Sequence, residues 1–109
     1  MATFFRTKVE KNIGTTPVEV LATTINSRFT IVGCNLANTT DYSVIVDIEV
    51  EDASAVTGYY IKQLVIDPYT SMKVITNGEK LILSEECKLR ITSDTADSVD
   101  AIISYAEIV

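Results

Sequence analysis

Apolar and polar residues alternate along several short stretches of the chain. The clearest stretch is 43–51, where Val44, Val46, Ile48 and Val50 alternate with serine and acidic residues. Successive side chains of a β-strand point to opposite faces, so this pattern predicts a strand with one buried and one solvated face. No stretch shows a sustained apolar period of 3.6 residues, and we expect no helix longer than a turn or two.

Similar runs recur along the whole chain, and residues that favour turns separate them. A new strand roughly every 8–12 residues is typical of a sandwich or barrel. We therefore predict an all-β fold, a single β-sandwich domain over 1–109, jelly-roll-like or Ig-like, with about 8–9 short antiparallel strands and no substantial helix. Asn77 and Gly78 form a strong hairpin signal, so the strands on either side of them are expected to pair. The predicted strands are 3–11, 17–21, 28–36, 43–51, 59–66, 71–76, 80–83, 88–93 and 99–108.

The predicted last strand, 99–108, is apolar on both faces. Ile103 faces one way, while Ile102 and Ile108 face the other. A two-sheet sandwich has one interior, so the second apolar face needs another cover, and a symmetric oligomer supplies it by repetition. We therefore predict a homo-oligomer, with a trimer slightly favoured over a dimer. The predicted interface residues are Phe4, Phe5, Tyr59, Tyr60, Ile102 and Ile108.

Size and charge narrow the possible partners. The chain has 109 residues, of which 47% are hydrophobic, which suits one domain with a single core. Its net charge of −6 disfavours nucleic acid and anionic lipid as partners.

The sequence shows no sign of a signal peptide or a membrane span. Arg6 and Lys8 interrupt the apolar core that a signal peptide would need, and no apolar run approaches the roughly 20 residues of a membrane span. We expect synthesis in the cytosol and no membrane partner.

The chain lacks the residues that common enzymes use. It contains no histidine, and no serine or cysteine stands in a nucleophile motif. Acyl transfer needs a nucleophile and a base placed to activate it, and the sequence offers neither. We predict a protein that is not an enzyme and has no cofactor.

The carboxylates Asp47, Glu49 and Glu51 lie on one face of a predicted strand, about 7 Å apart, and Asp52 follows them. They represent half of a calcium site, or else a solvated strand face or a sheet edge protected by charge. A straight strand holds carboxylates apart, so we favour the second interpretation and expect no metal ligand here.

A second acidic group, Asp94, Asp97 and Asp100, falls in the last predicted hairpin loop. A loop brings side chains together more readily than a strand does, so weak binding of Ca²⁺ stays open at this position. Aspartate also caps turns through its own side chain, and we favour that role for all three residues.

Two cysteines and a tyrosine pair leave further alternatives. Cys34 and Cys87 fit neither a metal nor a redox spacing, and we favour two buried free thiols over a disulfide bond.

Tyr59 and Tyr60 are adjacent in a predicted strand, so one of the two rings must point outward. That ring could belong to a contact patch or stack on a sugar. Carbohydrate sites rely more on tryptophan, which is absent, so a glycan partner is unlikely.

Five segments of the chain give a further indication. They are 12–18 (NIGTTPV), 31–40 (IVGCNLANTT), 56–62 (VTGYYIK), 78–83 (GEKLIL) and 97–109 (DSVDAIISYAEIV). These segments resemble a family of small all-β proteins of tailed bacteriophages, the cyanophage and marine-phage type. The resemblance implies a non-enzymatic virion structural protein, synthesised in the host cytoplasm, that is a capsid-decorating, neck or tail accessory protein and whose partners are itself and other virion proteins.

The resemblance carries no catalytic residue over. A carbohydrate-binding module for host recognition and a non-virion protein that modulates a host partner are the alternatives.

Overall fold

Nine strands form two antiparallel sheets in the computed structural model, which describes residues 2–75 and 78–109. All nine predicted strands and the β-sandwich class are confirmed. The described residues include no helix that could span a membrane. The strands are β1 (Thr3–Ile13), β2 (Val18–Ala22), β3 (Arg28–Asn38), β4 (Val44–Glu51), β5 (Thr57–Ile66), β6 (Ser71–Ile75), β7 (Leu81–Leu83), β8 (Lys88–Ser93) and β9 (Val99–Ile108).

The last strand lies inside the five-stranded sheet rather than at an edge. The order of that sheet is β1-β9-β3-β6, and β7 also pairs with β3. β9 therefore joins the first strand, from Thr3 opposite Ile108, to the long strand β3. The four-stranded sheet has the order β2-β8-β4-β5 and lies across the core from the first sheet.

The core lies between the inward faces of the two sheets. The alternation predicted for β4 is confirmed, because Val44, Val46 and Ile48 are buried there. In β9, Ala101 and Ile103 are completely buried. Branched aliphatic residues make up most of this core, which suits them because their stiff side chains pack well on a pleated sheet.

The predicted hairpin at Gly78 is wrong. β6 and β7 both run antiparallel to β3, with Ile75 opposite Cys34 and Leu81 opposite Ile31. They therefore run in the same direction and occupy successive parts of one edge, whereas a hairpin reverses the chain. Asn77, the first residue of the predicted turn, and Thr76, the last residue of the predicted strand 71–76, lie outside the described residues. β3 is long enough for β6 and β7 to pair with different parts of the same edge. This pairing outweighs the local preference of Asn-Gly for a hairpin turn.

Polar side chains near strand ends fix the ends of two strands. Asn38 is buried at the end of β3, where its Nδ2 donates to the carbonyl oxygens of Tyr42 (2.8 Å) and Ile66 (3.1 Å). Asn12, in a segment predicted as a turn, instead stays in β1 with a φ of 57°. Its N–H donates to Asp100 Oδ1 (2.9 Å), so a bulge takes up the positive φ and β1 continues to Ile13.

A pair of isoleucines in β4 tests the assignment of inner and outer faces. Ile48 is 2% exposed, whereas Ile45, in the same strand, is 39% exposed. We expect Ile48→Ala to lower the free energy of unfolding by about 3 kcal/mol, because it opens a cavity in the core. Ile45→Ala should cost less than about 1 kcal/mol. Urea unfolding of both variants measures this, and equal losses would contradict the assignment.

Candidate interaction surface

The outward side of the five-stranded sheet exposes a cluster of large apolar side chains. We call it the outer apolar face. Residues paired directly across neighbouring antiparallel strands share a face, which places Phe5 beside Ala106 and Val9 beside Ile102. Most of its other residues are small and uncharged, and Arg28, Lys73 and Asp100 supply its charges. The apolar members are Phe5, Val9, Val32, Ile82, Ile102, Ala106 and Ile108.

The structure brings three of the six predicted interface residues together on this face. Phe5, Ile102 and Ile108 are members, with Phe5 87% exposed and Ile102 48% exposed. The second apolar face of β9 is thus left open by a single chain, where the sequence suggested a covered face. A contiguous apolar patch of this kind is unusual on a monomer and is typical of a contact surface.

Phe4 lies on the opposite side of β1 and does not belong to the outer apolar face. It pairs with Glu107, on the side of the strands that also carries Tyr105. The Arg6 guanidinium lies 5.1 Å from the Phe4 ring centroid, and Arg6 Nε donates to Glu107 Oε1 at 2.6 Å. The ring therefore already has a cationic neighbour within its own chain.

Tyr59 and Tyr60 do not form a two-ring platform. Tyr59 lies on the outward side of the four-stranded sheet, where Lys62 Nζ is 4.2 Å from its ring centroid. Tyr60 instead packs against the core and donates its hydroxyl to Glu79 Oε1 (3.0 Å). Burial raises the pKa of the Tyr60 hydroxyl, and the bond to Glu79 raises it further. One ring points outward, as predicted. A sugar could stack only on the Tyr59 ring, and Lys62 already lies over that ring.

The outward side of the four-stranded sheet is charged. Arg90 donates to Glu51 Oε1 (2.5 Å) and to Glu49 Oε1 (3.5 Å), while Lys62 pairs with Asp47 (3.4 Å). The carboxylates predicted on one strand face are therefore held in ion pairs with neighbouring strands. The edge-strand alternative is wrong, because β4 pairs with both β5 and β8. The hydrogen bond from Arg90 lowers the pKa of Glu51 below its usual value.

Asp94 and Asp100 bind backbone N–H groups rather than converge, whereas among the described residues the Asp97 side chain makes no hydrogen bond and its backbone has a φ of 51°. Asp94 Oδ1 accepts the N–H of Ile45 (3.0 Å), and Asp100 binds Asn12 as described above. Asp52 Oδ1 accepts the N–H of Ser54 (2.9 Å), which forms a turn of the Asx type. Among residues 2–75 and 78–109, no three metal-ligating side chains come together.

Both cysteines are free and buried. Cys34 lies in β3 and Cys87 directly before β8, and neither forms a disulfide. The expectation of two buried thiols is confirmed. Burial raises the pKa of Cys34 to about 12, so this thiol stays protonated at neutral pH.

A groove in the outer apolar face was not predicted from the sequence. Ile31 lies opposite Tyr105 and Gly33 lies opposite Ser104, so Val32 has no partner in β9 and forms a β-bulge in β3. A Cβ placed on Gly33 would meet no atom within 4 Å, which leaves open space beside the bulge. The groove has a volume of about 290 Å³, and its walls include Val32, Gly33, Asn35, Lys73, Ile102 and Ser104. The glycine in an otherwise apolar strand was the one available signal, since such glycines often mark bulges.

Comparisons with known proteins identify shared folds. No family model and no curated protein matches the sequence. A protein of the Bacillus endospore appendages, a family of disulfide-linked pili, is 9% identical with a TM-score of 0.59, over 96% of this chain and 86% of that one. A chain of the capsid of Helicobacter pylori bacteriophage KHP30 is 10% identical with a TM-score of 0.54, over 100% of this chain and 89% of that one.

A longer viral chain contains a similar domain. It belongs to infectious bursal disease virus strain Gx and is 12% identical, with a TM-score of 0.56 over 97% of this chain. The present chain spans only 32% of it. Identities this low establish a common fold and no more. The same sandwich thus occurs in pilus and capsid structures, and the arrangement of this chain's own surface must carry any functional argument.

The ion pair between Arg90 and Glu51 predicts a lowered pKa for the Glu51 carboxyl. Because the folded protein favours ionised Glu51, its carboxyl should titrate below the usual glutamate value of about 4.3. This contribution to stability is present above the unfolded pKa and is lost as the pH falls through the folded pKa. Carboxyl NMR should show the pKa of Glu51 rising in Arg90→Gln and unchanged in Lys62→Gln. An unchanged value in Arg90→Gln would contradict the assigned cause.

The thiols predict a difference between native and denatured protein. Ellman's reagent should react with two thiols per denatured, unreduced chain, because no disulfide is present. The native protein at pH 8 should react far more slowly, since both sulfurs are buried and Cys34 is protonated. Fewer than two thiols after denaturation, or rapid reaction of the native chain, would contradict this expectation.

Proposed function

We propose that this chain is a non-enzymatic structural or accessory protein of a bacteriophage virion that associates with itself and docks on the particle. Capsid decoration is the favoured position, and a neck or tail accessory role, such as fibre attachment, is the alternative. The proposal rests mainly on one observation, which is the difference between the two outward sheet faces. One is apolar and open, and the other is charged and internally paired.

This difference in polarity suits a subunit that assembles with copies of itself through one broad side. Covering Phe5, Val9 and Ile102 removes apolar surface from water, whereas covering Glu49 and Glu51 would require desolvating ion pairs. The five-stranded side is therefore the side to bury between copies, and the four-stranded side is the side to leave on the outside. A self-associating module has this division between a contact face and an exposed face.

The shared fold and the overall charge support the same role. Capsid and pilus proteins use this sandwich, and the sequence segments described above resemble virion proteins of tailed phages. A net charge of −6 disfavours contact with the packaged genome. Neither support is decisive alone, because one fold hosts many functions.

Assembly of this chain is expected to be noncovalent. The endospore pili are described as disulfide-linked, but here both Cys34 and Cys87 are buried. A disulfide bond between copies would first require each chain to open. We therefore assign cohesion to the outer apolar face and leave the cysteines to the core.

Mass spectrometry of purified phage particles tests the proposed role. We expect the protein in particles at a fixed ratio to the major capsid protein, and immunogold labelling over the shell. A phage-encoded protein known to stay in the host cell serves as the control for contamination. Label at the neck or tail would favour the alternative position. Absence from the particles would overturn the structural role.

A further inference from the structure

Phe5 is the most exposed large apolar side chain in the described part of the chain. It is 87% exposed and stands on the outer apolar face beside Ala106. Folding leaves this ring in water, although burying an aromatic side chain elsewhere gives one of the largest apolar contributions. We call Phe5 the knob, because it is the largest and the most exposed apolar side chain of the outer apolar face.

The groove beside Gly33 lies on the same face and has room for such a ring. Val32 and Ile102 supply the apolar part of its lining, while Asn35, Lys73 and Ser104 supply the polar part, and its volume is about 290 Å³. The groove is open to solvent, so a ring of a second copy would enter it from outside. The space exists because the bulge places Gly33 where another residue would project a side chain.

The knob and the groove are too far apart to meet within one chain. Phe5 lies opposite Ala106, whereas Gly33 lies opposite Ser104, and β9 separates the two strands. Two strand spacings across and two residues along the sheet place them roughly 12 Å apart. Suppose that two copies face each other and that a two-fold axis lies in the plane between them, crossing the line from knob to groove at a right angle. This axis places the knob of one copy over the groove of the other. Each copy then offers a knob to the other's groove, which is the self-complementarity that a two-fold interface requires.

Charge selects this face for contact between identical chains. Every copy carries a net charge of −6, so two copies approach best through surfaces that lack carboxylates. Among the described strand residues, the only carboxylate that the register places on the outer apolar face is Asp100, which already binds Asn12. The outward side of the four-stranded sheet holds Asp47, Glu49 and Glu51 in ion pairs, and covering it with a second copy would require desolvating these pairs.

The size of the face is sufficient for a stable pair. The molecule measures 45 × 26 × 21 Å. Its broad side therefore spans on the order of 1,000 Å², compared with about 800 Å² per partner in a standard stable interface. A twisted sheet does not make contact over its whole area, so the knob in the groove has to supply a well-packed centre.

We propose that two copies of this chain pair face to face through their outer apolar faces, with Phe5 of each copy seated in the groove beside Gly33 of the other. This pairing deepens the self-association in the proposed function and rests on it. It favours a two-fold pair over the trimer that the sequence slightly favoured, because knob and groove share one face. Two subunits would then meet through apolar contacts and expose their charged faces on both sides.

Light scattering coupled to gel filtration, at tens of micromolar, tests the pairing. The wild-type chain should elute with twice its 12.0 kDa mass. Phe5→Ala should raise the dissociation constant on the order of 10²-fold or more, because both copies lose a central contact. Phe4→Ala is the matched control, since Phe4 lies on the opposite side of β1, and it should change the constant less than about threefold.

Gly33→Leu is the second test, because it fills the groove and leaves Phe5 in place. A Cβ at Gly33 meets no atom within 4 Å and points into the open groove, so melting of the variant should stay cooperative. It should weaken the dimer as strongly as Phe5→Ala does. A wild-type monomer, a trimer, or a dimer that survives both variants would overturn the pairing. Detection of the protein in phage particles despite such a result would leave the virion role standing.

Discussion

The insertion of β9 between β1 and β3 is the constraint on which the rest of the structure depends. This strand pairs along almost its full length on both sides, from Ile108 to Val99. Its residues Ala101 and Ile103 are completely buried on the inward side. Because the first and last strands are neighbours in space, the sandwich closes only when the whole chain is in place. Such long-range pairing requires closing a large loop, so β9 makes the fold cooperative end to end.

The central position of β9 also decides which surface stays open. A strand inside a sheet has no free edge, so its outward side chains are the only part left for other contacts. Ile102 and Ile108 stand there with Phe5 of β1 and Val32 of β3 as neighbours on the same face. The four-stranded sheet shows the opposite arrangement, since Arg90 forms ion pairs with both Glu49 and Glu51 from the adjacent strand. A single small sandwich thereby has one face suited to water and one suited to a partner.

Strand positions could be read from the sequence because alternation is a local property. The pattern around Ile48 and the apolar second face of 99–108 both follow from the two-residue period of a strand. The predicted hairpin at Gly78 was wrong because strand pairing, unlike alternation, is not a local property. A turn signal describes local preference, but the partner of β6 depends on which edge is free, and β3 offers its edge to both β6 and β7. The bulge at Val32 likewise depends on the register between strands distant in the chain.

The sequence alone determined the all-β class, the nine strands, the buried cysteines and the presence of a surplus apolar face. These follow from side-chain period, composition and charge, which the chain carries wherever it folds. Only the tertiary structure decided that Phe5 and Ile102 share that face, while Phe4 and Tyr60 turn away from it. It also decided that the carboxylates of β4 are paired and that Gly33 opens a groove. The physical reason is that strand order and register bring together residues that are distant in the chain, and local pattern does not fix either one.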